Sequence, residues 1–376
     1  MYCLHDRPRL FCTLIACAFA LLIGIDRLAP IVLPPQAYHF RPWIYMTGAF
    51  RYDQPRKNER MVMNGYGDLA NMLGVPKYRI VRPFVWTNDA YGFRNTTATQ
   101  HDRADIVVIG DSFMANAADS DETAFVTQLQ SKRQSSVTAA VPLDMSRFLA
   151  EQRFLQAPPK IVIWGRVERN LSGDNGEIQK LWSDTSCFSD PPSVLTQAKR
   201  IVKSGIGGFV EYARLSVVNR FSNQMIKLLV YRITGSPLDS EVWLHENPAQ
   251  MLFLRKGAQL AERSADKRGY DQTVQAVAHA RECLAKRGTT LMFLPIPDKE
   301  HIYSSFAGIV PPKEDPLQRM IDLTQKENIE VVSLLRPFLR EKTHLLYWPD
   351  DTHWNAEGIR IAVEATTAVL DHMEIR

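Results

Sequence analysis

The stretch that constrains this chain most is Ile106-Val107-Val108-Ile109-Gly110, followed at once by Asp111-Ser112-Phe113. Apolar residues, mostly β-branched, run without a polar break, which is how a strand buried on both faces of a parallel sheet reads. The run stops at Gly-Asp-Ser and leaves a hydroxyl at the strand's carboxyl end. Open α/β sheets bind their ligands at that end. A serine hydroxyl is a weak nucleophile until a base takes its proton. Near the other end of the chain, Asp350-Asp351-Thr352-His353-Trp354-Asn355 stands just before the last helical pattern. Alone, Gly-Asp-Ser is a common strand-to-turn junction, and Asp-x-His is a common surface turn. Together they supply a nucleophile (Ser112), a base (His353) and a group to orient the base. Asp350 and Asp351 compete for that last role, and the Asp-x-His spacing favours Asp351. Asp111 reads as a turn residue.

From Asp105 onward, strand and helix patterns alternate. A helix over Thr123–Arg133 is followed by a strand over Val137–Val141, a helix over Met145–Gln156 and a strand over Ile161–Trp164. After an interruption come a helix over Asp271–Lys286, a strand over Thr290–Leu294, a helix over Pro316–Lys326, a strand over Ile329–Leu334 and a closing helix over Ala356–Met373. This alternation predicts right-handed βαβ units and an α/β fold with a five-stranded parallel sheet. Residues 171–270 are too many for a loop and predict an inserted, mostly helical subdomain, with one helix over Tyr212–Ile233. Residues 34–103 show no sustained period. They read as a spacer and an extension packed irregularly on the core, pinned by Tyr91 and Phe93.

The start of the chain bears on the compartment. Arg7 and Arg9 precede an apolar run from Leu10 to Ile25, and a second run, Leu28 to Leu33, follows Asp26-Arg27. Residues 1–33 therefore read as a cytoplasmic tip and an uncleaved transmembrane signal anchor, with the catalytic domain, 104–376, in the periplasm. A cleaved signal peptide is the alternative. In an oxidising compartment Cys187 and Cys283 are candidates for a disulfide. The cysteines show no zinc spacing, so no metal site is indicated. The formal net charge of +4 comes without a basic run, which disfavours nucleic acid as a partner.

These residues resemble the SGNH hydrolase superfamily, and within it the O-acetyltransferases of bacterial exopolysaccharides of the alginate AlgX/AlgJ type. Besides the serine and Asp-x-His motifs, Ile161–Leu171 resembles that family's third strand and its Glu-Arg exit. Pro295–Tyr303 resembles its Pro-x-Lys-x-x-x-Tyr loop, and Asp351–Trp354 its Asp-x-His-Trp motif. Two departures stand out. Asp-x-His follows the serine here, whereas in the alginate proteins it precedes it, and no glycine follows the second strand in Val141-Pro142-Leu143-Asp144. The resemblance implies a three-layer α/β/α fold with strands in the spatial order 2-1-3-4-5, and catalysis by Ser112, His353 and Asp351, with an oxyanion held by the Ser112 N–H and Asn170. It further implies substrate contacts from Arg169, Lys299, Tyr303 and Trp354. It implies no cofactor, a polysaccharide acceptor and a membrane-bound O-acyltransferase partner that supplies acetyl groups at the inner membrane. An exported acetylesterase and a non-catalytic scaffold of an export complex are the competing readings.

Overall fold

A computed structural model of the chain describes residues 8–34, 39–48, 55–171, 178–179, 181, 187, 216–238, 241–245, 247–258 and 266–375. Most of the first half of the expected insertion, and the tip before Pro8, lie outside the described residues.

In chain order the main elements are α1 (Pro8–Val32), β1 (Arg60–Gly65), α2 (Asp68–Leu73), β2 (Arg82–Thr87), β3 (Ile106–Gly110), α3 (Phe125–Lys132), β4 (Val137–Ala139), α4 (Met145–Ala150) and β5 (Ile161–Val167). They continue with α5 (Val217–Thr234), β6 (Val242–Leu244), β7 (Leu252–Leu254), α6 (Lys267–Ala285), β8 (Thr290–Ile296), α7 (Pro316–Lys326), β9 (Glu330–Val331) and α8 (Ala356–Ile375). The central sheet has five parallel strands in the order β4-β3-β5-β8-β9. That is the expected 2-1-3-4-5.

The sheet is covered on both faces, and successive residues divide between two cores. Ile106 and Val108 pack with Phe125, Leu129, Ile359 and Val363 on the α3/α8 side. Val107 and Ile109 pack with Phe148, Val277, Cys283 and Met320 on the α4/α6/α7 side. Full burial of an aliphatic side chain is worth about 1.5–3 kcal/mol, so an uninterrupted apolar strand is the sequence this position demands. Pro295 sits inside β8 opposite Arg166, where it can give no ladder hydrogen bond. The cost is small because β9 pairs only with Met292 and Phe293 and has ended by then.

The extension is more ordered than its sequence suggests. β1 and β2 form an antiparallel pair, Arg60 opposite Thr87 through Gly65 opposite Arg82. Met61 and Met63 face inward while Val62 is exposed; three apolar residues in a row hide the two-residue period. The turn after β2 is not pinned by Tyr91, which is exposed. Phe93 packs on the α4/α6/α7 core as expected, and buried Asn95 adds to the hold. Its amide donates to Ala139 O (2.9 Å) and accepts from Ala139 N (2.8 Å), completing the edge of β4 as a further strand would. The described part of the insertion is mostly helical, with Val217–Thr234 its main helix, and it also holds a hairpin of β6 and β7. Leu252 N donates to Pro349 O at 2.8 Å, which seats this hairpin on the loop that carries Asp351. Cys187 and Cys283 are bridged.

The transmembrane anchor is not shown. Among the described residues no helix is long and apolar enough to cross a membrane. The stretch between Arg9 and Asp26 covers only about 24 Å of helix against a hydrocarbon core of ~30 Å. Asp26 at its end is buried and accepts from Val217 N (2.6 Å) at the start of α5.

Candidate active site

β3 ends in a bend that only glycine permits. Gly110 has φ +145°, and a Cβ there would lie 2.1 Å from Gly165 O on β5. Asp111 then fixes the turn. One of its carboxylate oxygens accepts from Phe113 N and the other from Val167 N, both at 3.0 Å. The loop that follows the serine is held by buried Arg94. Its guanidinium donates to the carbonyls of Ala115, Asn116 and Asp119, to Val85 O and to Asp121 Oδ1, at 2.6–3.0 Å. Ser112 is left half-buried at the carboxyl end of the sheet.

His353 meets it from the other side. The Ser112 hydroxyl lies 2.7 Å from His353 Nε2, and His353 Nδ1 lies 2.6 Å from Asp351 Oδ1. Asp351 is wholly buried, and its second oxygen accepts from Arg41 Nη1 (2.8 Å) and Asp68 N (3.0 Å), with Arg82 Nη2 at 3.6 Å. Burial alone would raise the Asp351 carboxyl. The Arg41 guanidinium, then His353 and Arg82, hold it well below the usual carboxylate range instead. An ionised Asp351 on Nδ1 keeps that proton in place and leaves Nε2 as the acceptor for the serine proton. Thr352 lines the same ring. Its hydroxyl donates to Asp68 Oδ2 (2.6 Å) and sits 3.2 Å from Nδ1.

Asp350 points away from the imidazole. It accepts from Gly67 N, Ile80 N and Arg82 Nη1 at 2.8–2.9 Å and so staples the extension to the catalytic loop. Gly67 is required there, since a Cβ would lie 1.9 Å from Asp350 O. Lys299 closes the loop from beneath. Its ammonium donates to the carbonyls of Trp348 (2.8 Å), Pro349 (2.9 Å) and Asp351 (3.0 Å). Burial brings its pKa down to about 8, against the pull of Glu300, Asp351, Asp350 and Asp68.

The structure brings Ser112, His353 and Asp351 into one hydrogen-bonded line. It does not bring two of the expected substrate residues, Lys299 and Trp354, to a surface. Lys299 is fully buried and its donors are taken by the loop carbonyls. Trp354 is also fully buried, stacks on Phe125 and donates to Phe113 O (3.2 Å), so it forms the wall behind the serine turn rather than a sugar platform. Tyr303 accepts from Leu346 N at 2.8 Å. Arg169 pairs with buried Asp298 at 2.5 Å. Asn170 ends the short turn, Glu168–Asn170, that leaves β5. The residues that the motifs did not reveal are Arg41, Asp68, Arg82 and Arg94. All four come from the extension, and each acts through a contact distant in sequence.

With this geometry in place, one comparison bears on the chain. Residues 248–375 match the family model of the SGNH hydrolase-like domain of acetyltransferase AlgX. The match covers the carboxyl-terminal part of the chain, which is similar to that domain. Lys299, Tyr303, Asp351, His353 and Trp354 lie inside the matched segment. Ser112 lies outside it, and the fold alone carries the serine to His353. No curated protein matches the chain.

Proposed function

We propose that this protein is an O-acetyltransferase that passes acetyl groups to hydroxyls of an exported polysaccharide through a serine acyl-enzyme. The observation that carries the reading is the unbroken line from Ser112 Oγ through His353 to ionised Asp351. Ser112 attacks the acetyl carbonyl while His353 Nε2 takes its proton, and the imidazolium returns a proton to the leaving group. The same steps in reverse order, with a sugar hydroxyl as nucleophile, release the acetyl to the acceptor. The Ser112 N–H and Asn170 are the proposed oxyanion donors. Losing one such donor typically costs ~10²–10³ in rate.

Location at the periplasmic face of the inner membrane is part of the same proposal, as is a membrane-bound O-acyltransferase as acetyl donor. The Cys187–Cys283 bridge supports an oxidising compartment. A hydrolase is favoured by one specific observation: the burial of Trp354 and Lys299 removes two expected sugar contacts. Acetate release from an acetyl ester, measured with and without oligosaccharide acceptors, separates the readings. Transfer predicts that an acceptor diverts acetyl from water to sugar; an unchanged acetate yield with every acceptor establishes the esterase.

A further inference from the structure

His353 Nδ1 has two oxygens within hydrogen-bonding distance, and only one belongs to the triad. Asp351 Oδ1 lies at 2.6 Å and the Thr352 hydroxyl at 3.2 Å. An ionised carboxylate only accepts, so Asp351 requires the proton on Nδ1. A threonine hydroxyl imposes nothing by itself, because it rotates to donate or to accept. A hydroxyl that donated to Nδ1 would need a lone pair there. The ring proton would then sit on Nε2, where it blocks transfer from the serine. The other neighbour of Thr352 therefore decides what the hydroxyl does.

That neighbour is Asp68, from the extension. Its Oδ2 takes the Thr352 hydroxyl proton at 2.6 Å, and its Oδ1 accepts from Thr352 N and Leu69 N, both at 2.8 Å. Arg41 Nη2 lies 3.5 Å from the same Oδ2. Oδ2 stands 3.6 Å from His353 Nδ1, too far for a direct hydrogen bond. The hydroxyl has one proton, and with that proton committed to Asp68 only a lone pair is left to turn toward the imidazole. We propose that Asp68 is a positioning residue that sets the His353 tautomer through the Thr352 hydroxyl. The carboxylate fixes the hydroxyl as a donor, and the hydroxyl oxygen accepts from Nδ1–H beside Asp351. Two carboxylates instead of one thus keep Nε2 free for the Ser112 proton. They are also tied to each other: Asp351 Oδ2 accepts from the Asp68 backbone N–H at 3.0 Å, and Arg41 reaches both side chains. The inference rests on the role of His353 as base proposed above, and it gives the extension a part in the chemistry.

Asp68→Asn tests the relay while keeping the backbone contacts. The two N–H groups hold the amide oxygen at the Oδ1 position, so the amide nitrogen takes the place of Oδ2 and donates to Thr352. The hydroxyl is then free to donate to Nδ1, which favours the wrong tautomer. Nitrogen NMR of isotope-labelled histidine in the full-length chain reads which nitrogen of the neutral His353 ring carries the proton, with the signal assigned from His353→Ala. Turnover of a small acetyl ester reads the consequence. The wild type should show the Nδ1–H form, and Asp68→Asn should bring up the Nε2–H form with kcat/KM down on the order of tenfold. Thr352→Val should cost less, and Thr352→Ser should behave as the wild type. In the Thr352→Val background, Asp68→Asn should change the rate by less than about twofold, because its route to the ring is gone. An equal further loss in that background overturns the relay and leaves Asp68 acting by charge or packing. An unchanged tautomer in Asp68→Asn overturns it too, whatever the rate. The two substitutions approach the hydroxyl from opposite sides, so a failure of one to fold leaves the other as the test. Full turnover in Ser112→Ala would sink the role of His353 as base, and the tautomer measurement would still decide the relay.

Discussion

Two buried histidines lie beyond the carboxyl ends of the same sheet, and both present Nδ1 to a carboxylate. His353 meets Asp351 at 2.6 Å, and His301 meets Glu168 at 2.9 Å. They differ at the other nitrogen. His353 Nε2 faces the Ser112 hydroxyl at 2.7 Å, whereas His301 Nε2 faces a second carboxylate, Asp315, at 3.1 Å. Burial works against a charge on His301, but Glu168 and Asp315 lift its pKa to about 10. A histidine between two acids is a fixed cation and offers no lone pair to a nucleophile. One between an acid and a hydroxyl can take a proton and give it back. What suits one imidazole to the proposed role of base is therefore the neighbour at Nε2, since burial and an acid at Nδ1 are common to both.

The sharpest way to break this contrast is at Ser112. Ser112→Ala and His353→Ala should each abolish turnover of a small acetyl ester, and the double variant should be scarcely worse than either single one. Asp351→Asn should keep the fold, allow the wrong tautomer and lose on the order of 10⁴ in rate. Turnover surviving in Ser112→Ala would place the nucleophile elsewhere.

His301→Gln should leave turnover per folded molecule unchanged and act on stability. Because the folded pKa of His301 is raised, its contribution is fully present below the ordinary histidine value of ~6.5 and is lost as pH rises through about 10. The variant should be roughly 3 kcal/mol less stable than wild type at pH 6. Urea midpoints at pH 6 and pH 9.5 should show that gap narrowing; a gap that widened with pH would contradict the assignment of a buried cation.

The smallest expected effect is the most selective. In Asp315→Asn, Oδ1 can still accept from Leu317 N and Gln318 N, so the cap of α7 is kept while the charge at His301 Nε2 is removed. The His301 pKa should fall by a measurable step in an NMR titration, with about 1 kcal/mol of stability lost and no new ester turnover. Gain of turnover would show that a serine is not needed at Nε2.

Much of this was legible in the chain. Uninterrupted apolar runs such as Ile106–Ile109 and Leu291–Leu294 read as strands buried on both faces of a parallel sheet, so strand number followed from pattern, while the order 2-1-3-4-5 came with the family resemblance. Ser112, Asp351 and His353 were legible because the chemistry requires those residue types at a strand exit and before a helix. Lys299 and Trp354 were misread for a common reason. A motif shows that a residue type belongs beside a site, but whether it faces a ligand or the loop behind it depends on burial, and both are fully buried.

The sequence by itself determined the alternation of strands and helices and the candidate nucleophile–base pair, because hydrophobic period and residue chemistry are local properties. Only the tertiary structure decided what makes that pair work. Arg41, Asp68 and Arg82 come from a region with no visible period, yet they fix the charge and orientation of Asp351 across about 270–310 residues of chain. Such contacts are selected by three-dimensional proximity and by the need to neutralise a carboxylate buried away from water. Neither leaves a pattern along the chain.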